Sequence, residues 1–301
     1  LKIYWKEWIW IRLCGYTIRM AAHYPKVIKI YSCAWALYLE TIHALARELL
    51  PLKRCVLRLS RKMESSFLPP DGQILSGGPL KSPVRFYENG ISFEADVIHG
   101  QKTGFYFDQR DNRSQVRERA QGKSILNVFS YTGGFSVYAF AGKCHSVLEI
   151  ELNPHALKAA RANVAVNFPE KSREEKWFRQ IQGDAFHELA RLHGNKKTFD
   201  LVILDPPAFA RNKKQKLEAL KAYARLAEAG TRQVKRGGIL FAASCSAPVE
   251  DHEFYHAINC GIEAAGRQRK ELLKTGHPLD HPVTFKEGAY LKGVFHQIID
   301  K

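Results

Sequence analysis

Ser124-Ile125-Leu126-Asn127-Val128-Phe129-Ser130-Tyr131-Thr132-Gly133-Gly134-Phe135-Ser136 is the stretch on which the reading of this chain turns. Ile125, Leu126, Val128 and Phe129 form a short apolar run, the pattern of a strand covered on both faces. Gly133 and Gly134 permit a sharp turn and a close approach to a ligand, because no Cβ stands in the way. From Phe135 the pattern becomes helical, which places N–H groups and the positive end of a helix dipole beside the turn. Strand, turn and helix together make a ligand cradle at the carboxyl end of a strand, where open α/β sheets bind cofactors. A glycine pair also occurs in plain tight connections, so the neighbouring strands have to decide.

Outward from that stretch the alternation is regular. Residues 147–151, 177–182, 199–204 and 238–243 read as strands. Residues 153–167, a segment from Ala185, residues 217–234 and a segment from about Asp251 read as helices. Residues 272–275 and 291–299 complete the strands, and residues 102–119 lead into a helix ahead of the cradle. Such alternation predicts an α/β fold, a parallel, doubly wound sheet with helices on both faces. Upstream, residues 26–31 and 54–59 read as strands around a helix at 34–50, with Leu37, Ile42, Leu45 and Leu49 on its apolar face and Pro51 as its stop. Residues 64–83 read as a loop or linker, and residues 84–98 as a hairpin turning at Asn89-Gly90. The division expected is an unassigned segment 1–25, a small α+β domain 26–101 with an RNA-binding or accessory role, and the doubly wound domain 102–301.

Composition narrows the class. Hydrophobic residues make up 45% and charged residues 25% of 301, ordinary for a globular protein with a sizeable core. Against 30 Asp+Glu stand 46 Lys+Arg, a net charge of +16 that favours a polyanionic partner. The six cysteines (Cys14, Cys33, Cys55, Cys144, Cys245, Cys260) show neither a CxxC pair nor zinc spacing, so no metal and a reducing, cytoplasmic setting are expected. No apolar run reaches the roughly 18–20 residues of a membrane span, so no membrane partner is expected. Residues 1–25 lack the apolar core and small-residue cleavage site of a signal peptide.

Three strand ends align with the glycine turn. Glu151 ends the second strand, where an acid in nucleoside-binding sheets accepts hydrogen bonds from ribose hydroxyls. After the third strand comes Gly183-Asp184-Ala185, where Asp184 either caps a helix or meets an adenine amino group. The fourth ends in Asp205-Pro206-Pro207-Ala208-Phe209, whose two prolines remove two donors and stiffen the loop. A basic run, Arg211-Asn212-Lys213-Lys214-Gln215-Lys216, follows directly. Cys245 ends the fifth strand between Ser244 and Ser246. A dinucleotide fingerprint, G-x-G-x-x-G, is absent.

Taken together, these segments resemble class I S-adenosylmethionine-dependent methyltransferases. The resemblance sharpens to the RlmI-like family of large-subunit (23S) ribosomal RNA cytosine-5 methyltransferases. The residues that carry it are His99-Gly100-Gln101-Lys102-Thr103-Gly104-Phe105-Tyr106-Phe107-Asp108-Gln109-Arg110, Phe129 to Phe135, Asp205 to Phe209, Ser244-Cys245-Ser246, Asp280-His281-Pro282 and Glu287-Gly288-Ala289-Tyr290-Leu291-Lys292-Gly293. It implies a Rossmann-like methyltransferase domain and S-adenosylmethionine as cofactor. Gln109, Arg110, Phe129, Ser130, Tyr131, Thr132, Gly133, Gly134, Glu151, Asp184, Ala185, Asp205, Pro206 and Pro207 would then bind that cofactor. Phe209, Asp280 and His281 would bind substrate, and Asp205 would act with Cys245 in catalysis. Ribosomal RNA is the implied partner, and a homodimer is left open. The amino-terminal PUA domain of that family is not recognisable, which leaves a truncated or aberrant start open.

Cytosine C5 is a poor nucleophile, so a thiolate adding at C6 is the chemistry this resemblance gives Cys245. Its alternative is a buried cysteine acting as a small hydrophobe. Three rival functions remain: amino-group methylation, against which Ala208 separates Phe209 from the prolines; guanine-N7 methylation, which would leave Cys245 idle; and a non-catalytic RNA-binding or assembly factor that kept the fold.

Overall fold

A computed structural model describes residues 8–13, 16–21, 26–30, 37–49, 54–59, 68–80, 83–100, 104–279, 281, 283 and 288–300. They divide into two units, Leu1–Phe107 and Asp108–Lys301.

In the smaller unit, β1 (Trp8–Leu13), β2 (Tyr16–Ala21), β3 (Lys26–Ile30), β4 (Cys55–Leu59) and β5 (Ile74–Ser76) form one sheet in that order. The amino-terminal segment without an assignment thus supplies a β1–β2 antiparallel pair, and β5 lies within the stretch read as linker. Helix α1 (Leu39–Leu49) joins the parallel strands β3 and β4. Its apolar face differs from the expectation. Leu39, Ile42 and Ala46 are buried, whereas Leu37 is 87% exposed and Leu45 and Leu49 are exposed as well. The stripe follows the i, i+3, i+7 spacing from Leu39, which leaves Leu45 and Leu49 on its flank. The expected hairpin is β6 (Val84–Glu88) and β7 (Ile91–Ala95), with Asn89 and Gly90 both at positive φ, as its two-residue turn requires.

The larger unit is built on seven strands: β8 (Ser124–Val128), β9 (Ser146–Glu151), β10 (Phe178–Gln182), β11 (Phe199–Leu204), β12 (Val234–Ser244), β13 (Arg267–Thr275) and β14 (Lys292–Asp300), ordered β10-β9-β8-β11-β12-β14-β13. The first five in that order are parallel, but β14 runs antiparallel to both its neighbours. The sheet is therefore mixed at one edge, where full parallelism was expected. Strand β12 also starts at Val234, four residues earlier than its apolar run suggests, because Val234 pairs with Phe199 beyond an irregularity in register.

Helices cover both faces. Leu126, Val128, Val202, Leu204, Leu240 and Ala242 meet α6 (Ala185–Gly194), α7 (Lys216–Thr231) and α8 (Asp251–Ala264) in one core. On the other face lie α2 (Arg110–Arg119), α3 (Gly134–Ala141) and α4 (Pro154–Asn167): Phe135 packs on Phe241 and the Arg119 guanidinium on Phe295. A short helix, α5 (Pro169–Arg173), precedes β10 and was not anticipated. Residues alternating on the central strands serve opposite faces, the period-two rule applied to a doubly covered sheet.

Candidate active site

At the carboxyl edge, the loop after β8 is held from several sides. Phe129 and Ser130 N–H groups both donate to the Ile150 carbonyl, at 2.9 and 3.2 Å. The Tyr131 N–H donates to Glu151 Oε2 at 3.0 Å, and Asn163 Nδ2 donates to the Thr132 carbonyl at 3.0 Å. Phe129 (φ 61°) and Tyr131 (φ 48°) occupy the left-handed region although neither is glycine. Such backbone strain persists where surroundings over-determine it and gathers at ligand sites. Gly133 is left-handed too, at φ 77°, and a Cβ there would stand 2.8 Å from Ala160 Cβ and 3.1 Å from Glu149 Oε1. Its bareness therefore serves the close approach of α4 to the turn.

The acids expected at the strand ends take distinct parts. Glu151 accepts from Tyr131 N–H and, through Oε1, from Asn153 N–H at 2.9 Å, so it fixes the loop. Asp184 is the N-cap of α6, accepting from His187 N–H at 3.0 Å; Ala185 behind it is buried in the core. Asp205 Oδ1 accepts from Gln109 Nε2 at 2.7 Å, and Gln109 Oε1 in turn accepts from Asn112 Nδ2 at 2.5 Å. Asn112, buried in α2, is a positioning residue that the sequence reading missed. Arg110 lies beside Asp111 at 3.1 Å in the first turn of α2.

Behind the loop sits a buried carboxyl, Glu149 on β9. Burial pushes it up to about 7, against the hydrogen bonds it accepts from Ser136 Oγ (2.5 Å) and Gln180 Nε2 (2.9 Å).

Parallel pairing of β8, β11 and β12 brings the next loops alongside. The Cys245 thiol lies 4.0 Å from the Pro206 carbonyl oxygen and is half-buried. Pro207 is exposed, and the Phe209 ring packs on Tyr223 with centroids 4.8 Å apart. Tyr223 OH lies 2.8 Å from both Ser244 Oγ and Ser246 Oγ, and Ser246 Oγ accepts from Ala210 N–H at 3.1 Å. Burial raises the Tyr223 phenol above its ordinary range, which keeps it a neutral member of this network. From β14, the Lys292 ammonium donates to the carbonyls of Ser246 (3.1 Å) and Val249.

Among the described cysteines, Cys55 and Cys144 are buried and their thiols pushed up to about 12, whereas Cys260 is exposed on α8. Cys245 alone of these four stands on a strand-end loop of the carboxyl edge. His281 is buried, its N–H donating to the Pro278 carbonyl at 2.8 Å; Asp280 lies outside the described residues. No His/Cys/Asp/Glu group able to hold a metal occurs among the described residues, nor any helix long and apolar enough to cross a membrane.

Comparisons with known proteins agree with this geometry. The pattern of the S-adenosylmethionine-dependent methyltransferase family matches residues 60–264. A ribosomal RNA large subunit methyltransferase of Deinococcus radiodurans is 41% identical over 275 residues, covering 90% of this chain and 66% of that protein. Ribosomal RNA large subunit methyltransferase I of Alteromonas mediterranea is 37% identical over 242 residues, covering 80% of this chain and 59% of its own length. Among solved structures, the methyltransferase SMU.776 in complex with S-adenosylhomocysteine superposes with a TM-score of 0.80 at 24% identity, covering 93% of this chain and 71% of that one.

The chain belongs to the S-adenosylmethionine-dependent methyltransferase family. It spans two thirds or less of the two sequence relatives, at 66% and 59% of their lengths.

The residues present fit the family's cofactor. Ser130 Oγ and Thr132 Oγ1 are buried hydroxyls with no hydrogen-bond partner among the described residues, in the loop at the carboxyl end of β8. Carboxylates of Glu151 and Asp184 close the two neighbouring strand ends and retain acceptor capacity beyond their backbone bonds. Polar donors and acid groups around a strained turn suit a nucleoside with an amino-acid tail.

Proposed function

We propose that this protein methylates C5 of a cytosine in large-subunit ribosomal RNA, with Cys245 as a covalent nucleophile. The observation that carries this reading is the placement of Cys245 against the Asp205-Pro206-Pro207 loop, two strands from the Ser130–Gly133 turn along one sheet edge. When bound, S-adenosylmethionine supplies an electrophilic methyl group. Ser130, Thr132, Glu151 and Asp184 would hold it, with Gln109 keeping Asp205 aligned.

In this reading the Cys245 thiolate adds to C6 of the cytosine, and the electron pair displaced onto C5 makes that carbon nucleophilic enough to accept a methyl group. Loss of the C5 proton then returns the electron pair to the ring, and the C6–S bond breaks to release the thiolate. Asp205 places the base, and Phe209 and His281 line its pocket. The named relatives act on large-subunit ribosomal RNA, and a net charge of +16 suits a polyanion. Arg211, Lys213 and Lys214, exposed just after the Pro206-Pro207 loop, make no ion pair among the described residues and would meet phosphates. Residues 26–101 would be an accessory RNA contact. A base buried in a helix must be unstacked to reach the thiol.

Cys245→Ala tests the reading. Methylation of ribosomal RNA should fall by at least about a thousandfold while S-adenosylmethionine affinity by calorimetry stays within about twofold. Methylation by that variant at the normal rate, or 7-methylguanine as the product, would defeat it.

A further inference from the structure

Lys292 has no part in the chemistry outlined above, yet it is the most deeply buried cation near it, at 1% exposure. A lysine is almost never enclosed this fully without partners. Its partners are specific. Lys292 opens β14 directly opposite Ser244 of β12, so its side chain starts beside the residue preceding Cys245. Its ammonium donates to the carbonyl of Ser246, the residue following Cys245, and to that of Val249, three residues further on. Both carbonyls belong to the turn between β12 and α8. That turn is tied on its other side by the Tyr223–Ser244–Ser246 hydroxyl network.

The surrounding charges are few and come from defined elements. Burial pushes the Lys292 ammonium below its ordinary value, and Asp251 and Glu250 at the start of α8, the Cys245 sulfur and Glu253 offset part of that. Glu253 is itself engaged by Lys216 of α7 at 2.6 Å. On the chain just before Lys292, His277 Nε2 accepts from the Leu291 N–H at 3.3 Å and stands edge-on to Tyr290.

We propose that Lys292 is the positioning residue of the Cys245 turn: its ammonium ties down the backbone that follows the thiol and places a buried positive charge that favours the thiolate. The attraction between an ammonium and a thiolate grows as water is excluded, and Lys292 lies at 1% exposure. Asp251, Glu250 and Glu253 offset part of the burial cost of the ammonium, and the thiolate adds to its partners when formed. The inference rests on Cys245 being the nucleophile, but its physical part, coupling of one lysine to one thiol, is measurable without turnover.

The experiment follows iodoacetamide alkylation of the Cys245 peptide by mass spectrometry across pH, in the full chain without RNA. In the wild-type protein the half-maximal rate should fall at a lower pH than for free cysteine measured alongside. Lys292→Met should move that midpoint upward and slow alkylation at pH 7 by about tenfold, with Lys292→Arg restoring most of it. A wild-type midpoint at or above that of free cysteine overturns the proposal, whether or not Lys292→Met folds. So does a folded Lys292→Met protein whose midpoint does not move. Failure of the covalent reading is separate: Cys245→Ala would then still methylate RNA, whatever the alkylation profile.

Discussion

Two buried ionisable groups stand behind two loops of the sheet edge, and they are partnered differently. Glu149 on β9 backs the Ser130–Gly133 turn; Lys292 on β14 backs the Cys245 turn. Glu149 meets neutral donors, Ser136 and Gln180, with Arg161 a weaker influence, and burial pushes it up to about 7. Burial pushes the Lys292 ammonium below its ordinary value, against the charges of Asp251, Glu250 and Glu253, while the carbonyls of Ser246 and Val249 accept its hydrogen bonds. Burial disfavours both charges, but Glu149 is offset chiefly by neutral hydrogen-bond donors, as suits a scaffold, and Lys292 by carboxylates, as suits an ammonium that acts on a neighbouring thiol.

The largest expected effect tests the cofactor side. Gly133→Val puts a side chain at φ 77° within 2.8 Å of Ala160, so it should cost about 2–4 kcal/mol in chemical denaturation and abolish detectable S-adenosylmethionine binding. Retained affinity would mean that the turn does not shape the cofactor site.

Next comes the buried carboxyl. Glu149 has a folded value of about 7 against 4.5 for the free group, so the folded state holds its proton more tightly. Its contribution is therefore fully present below pH 4.5 and is lost as pH rises through 7, a difference of about 3 kcal/mol. Glu149→Gln should flatten that dependence in urea titrations between pH 5 and pH 8. An unchanged slope would show that water or a partner charge reaches the carboxylate.

The smallest effect separates two roles of one residue. Asp184→Ala should lose about 1 kcal/mol as the α6 cap goes, while Asp184→Asn keeps the cap. If Asp184 also meets the cofactor's adenine, Asp184→Asn lowers S-adenosylmethionine affinity at unchanged stability; equal affinity leaves capping as its whole function.

The two sides also differ in how far the sequence reveals them. Strands β8, β9 and β11 were legible because each is an apolar run closed by a chemically distinctive residue or turn, and the fold followed from their alternation with helices. Asp184 showed both of its readings at once, since a cap and an adenine contact ask for the same side chain in the same place. Lys292 could not be seen in this way. Its burial arises from pairing with Ser244 across an antiparallel strand; the stretch Glu287 to Gly293 carries the family resemblance, but the residue types of Leu291-Lys292-Gly293 do not tell a buried lysine from a solvated one. The same edge hid most of β13, whose Arg267-Gln268-Arg269-Lys270-Glu271 half is polar in the manner of a protected sheet edge. In α1, Leu37, Leu45 and Leu49 looked like part of the apolar face beside Ile42, and only packing shows that Leu39 and Ala46 complete it instead.

The central claim is that Cys245 bonds to a cytosine. Ribosomal RNA carrying 5-fluorocytosine offers a direct measurement, because fluorine at C5 cannot leave as a proton does and the thioether at C6 persists. Incubation with S-adenosylmethionine, followed by denaturing electrophoresis and peptide mass spectrometry, should reveal a protein–RNA adduct on the Cys245 peptide that Cys245→Ser does not form. Full methylation of unmodified RNA with no adduct on the fluorinated RNA, or an adduct that survives Cys245→Ser, would contradict the account.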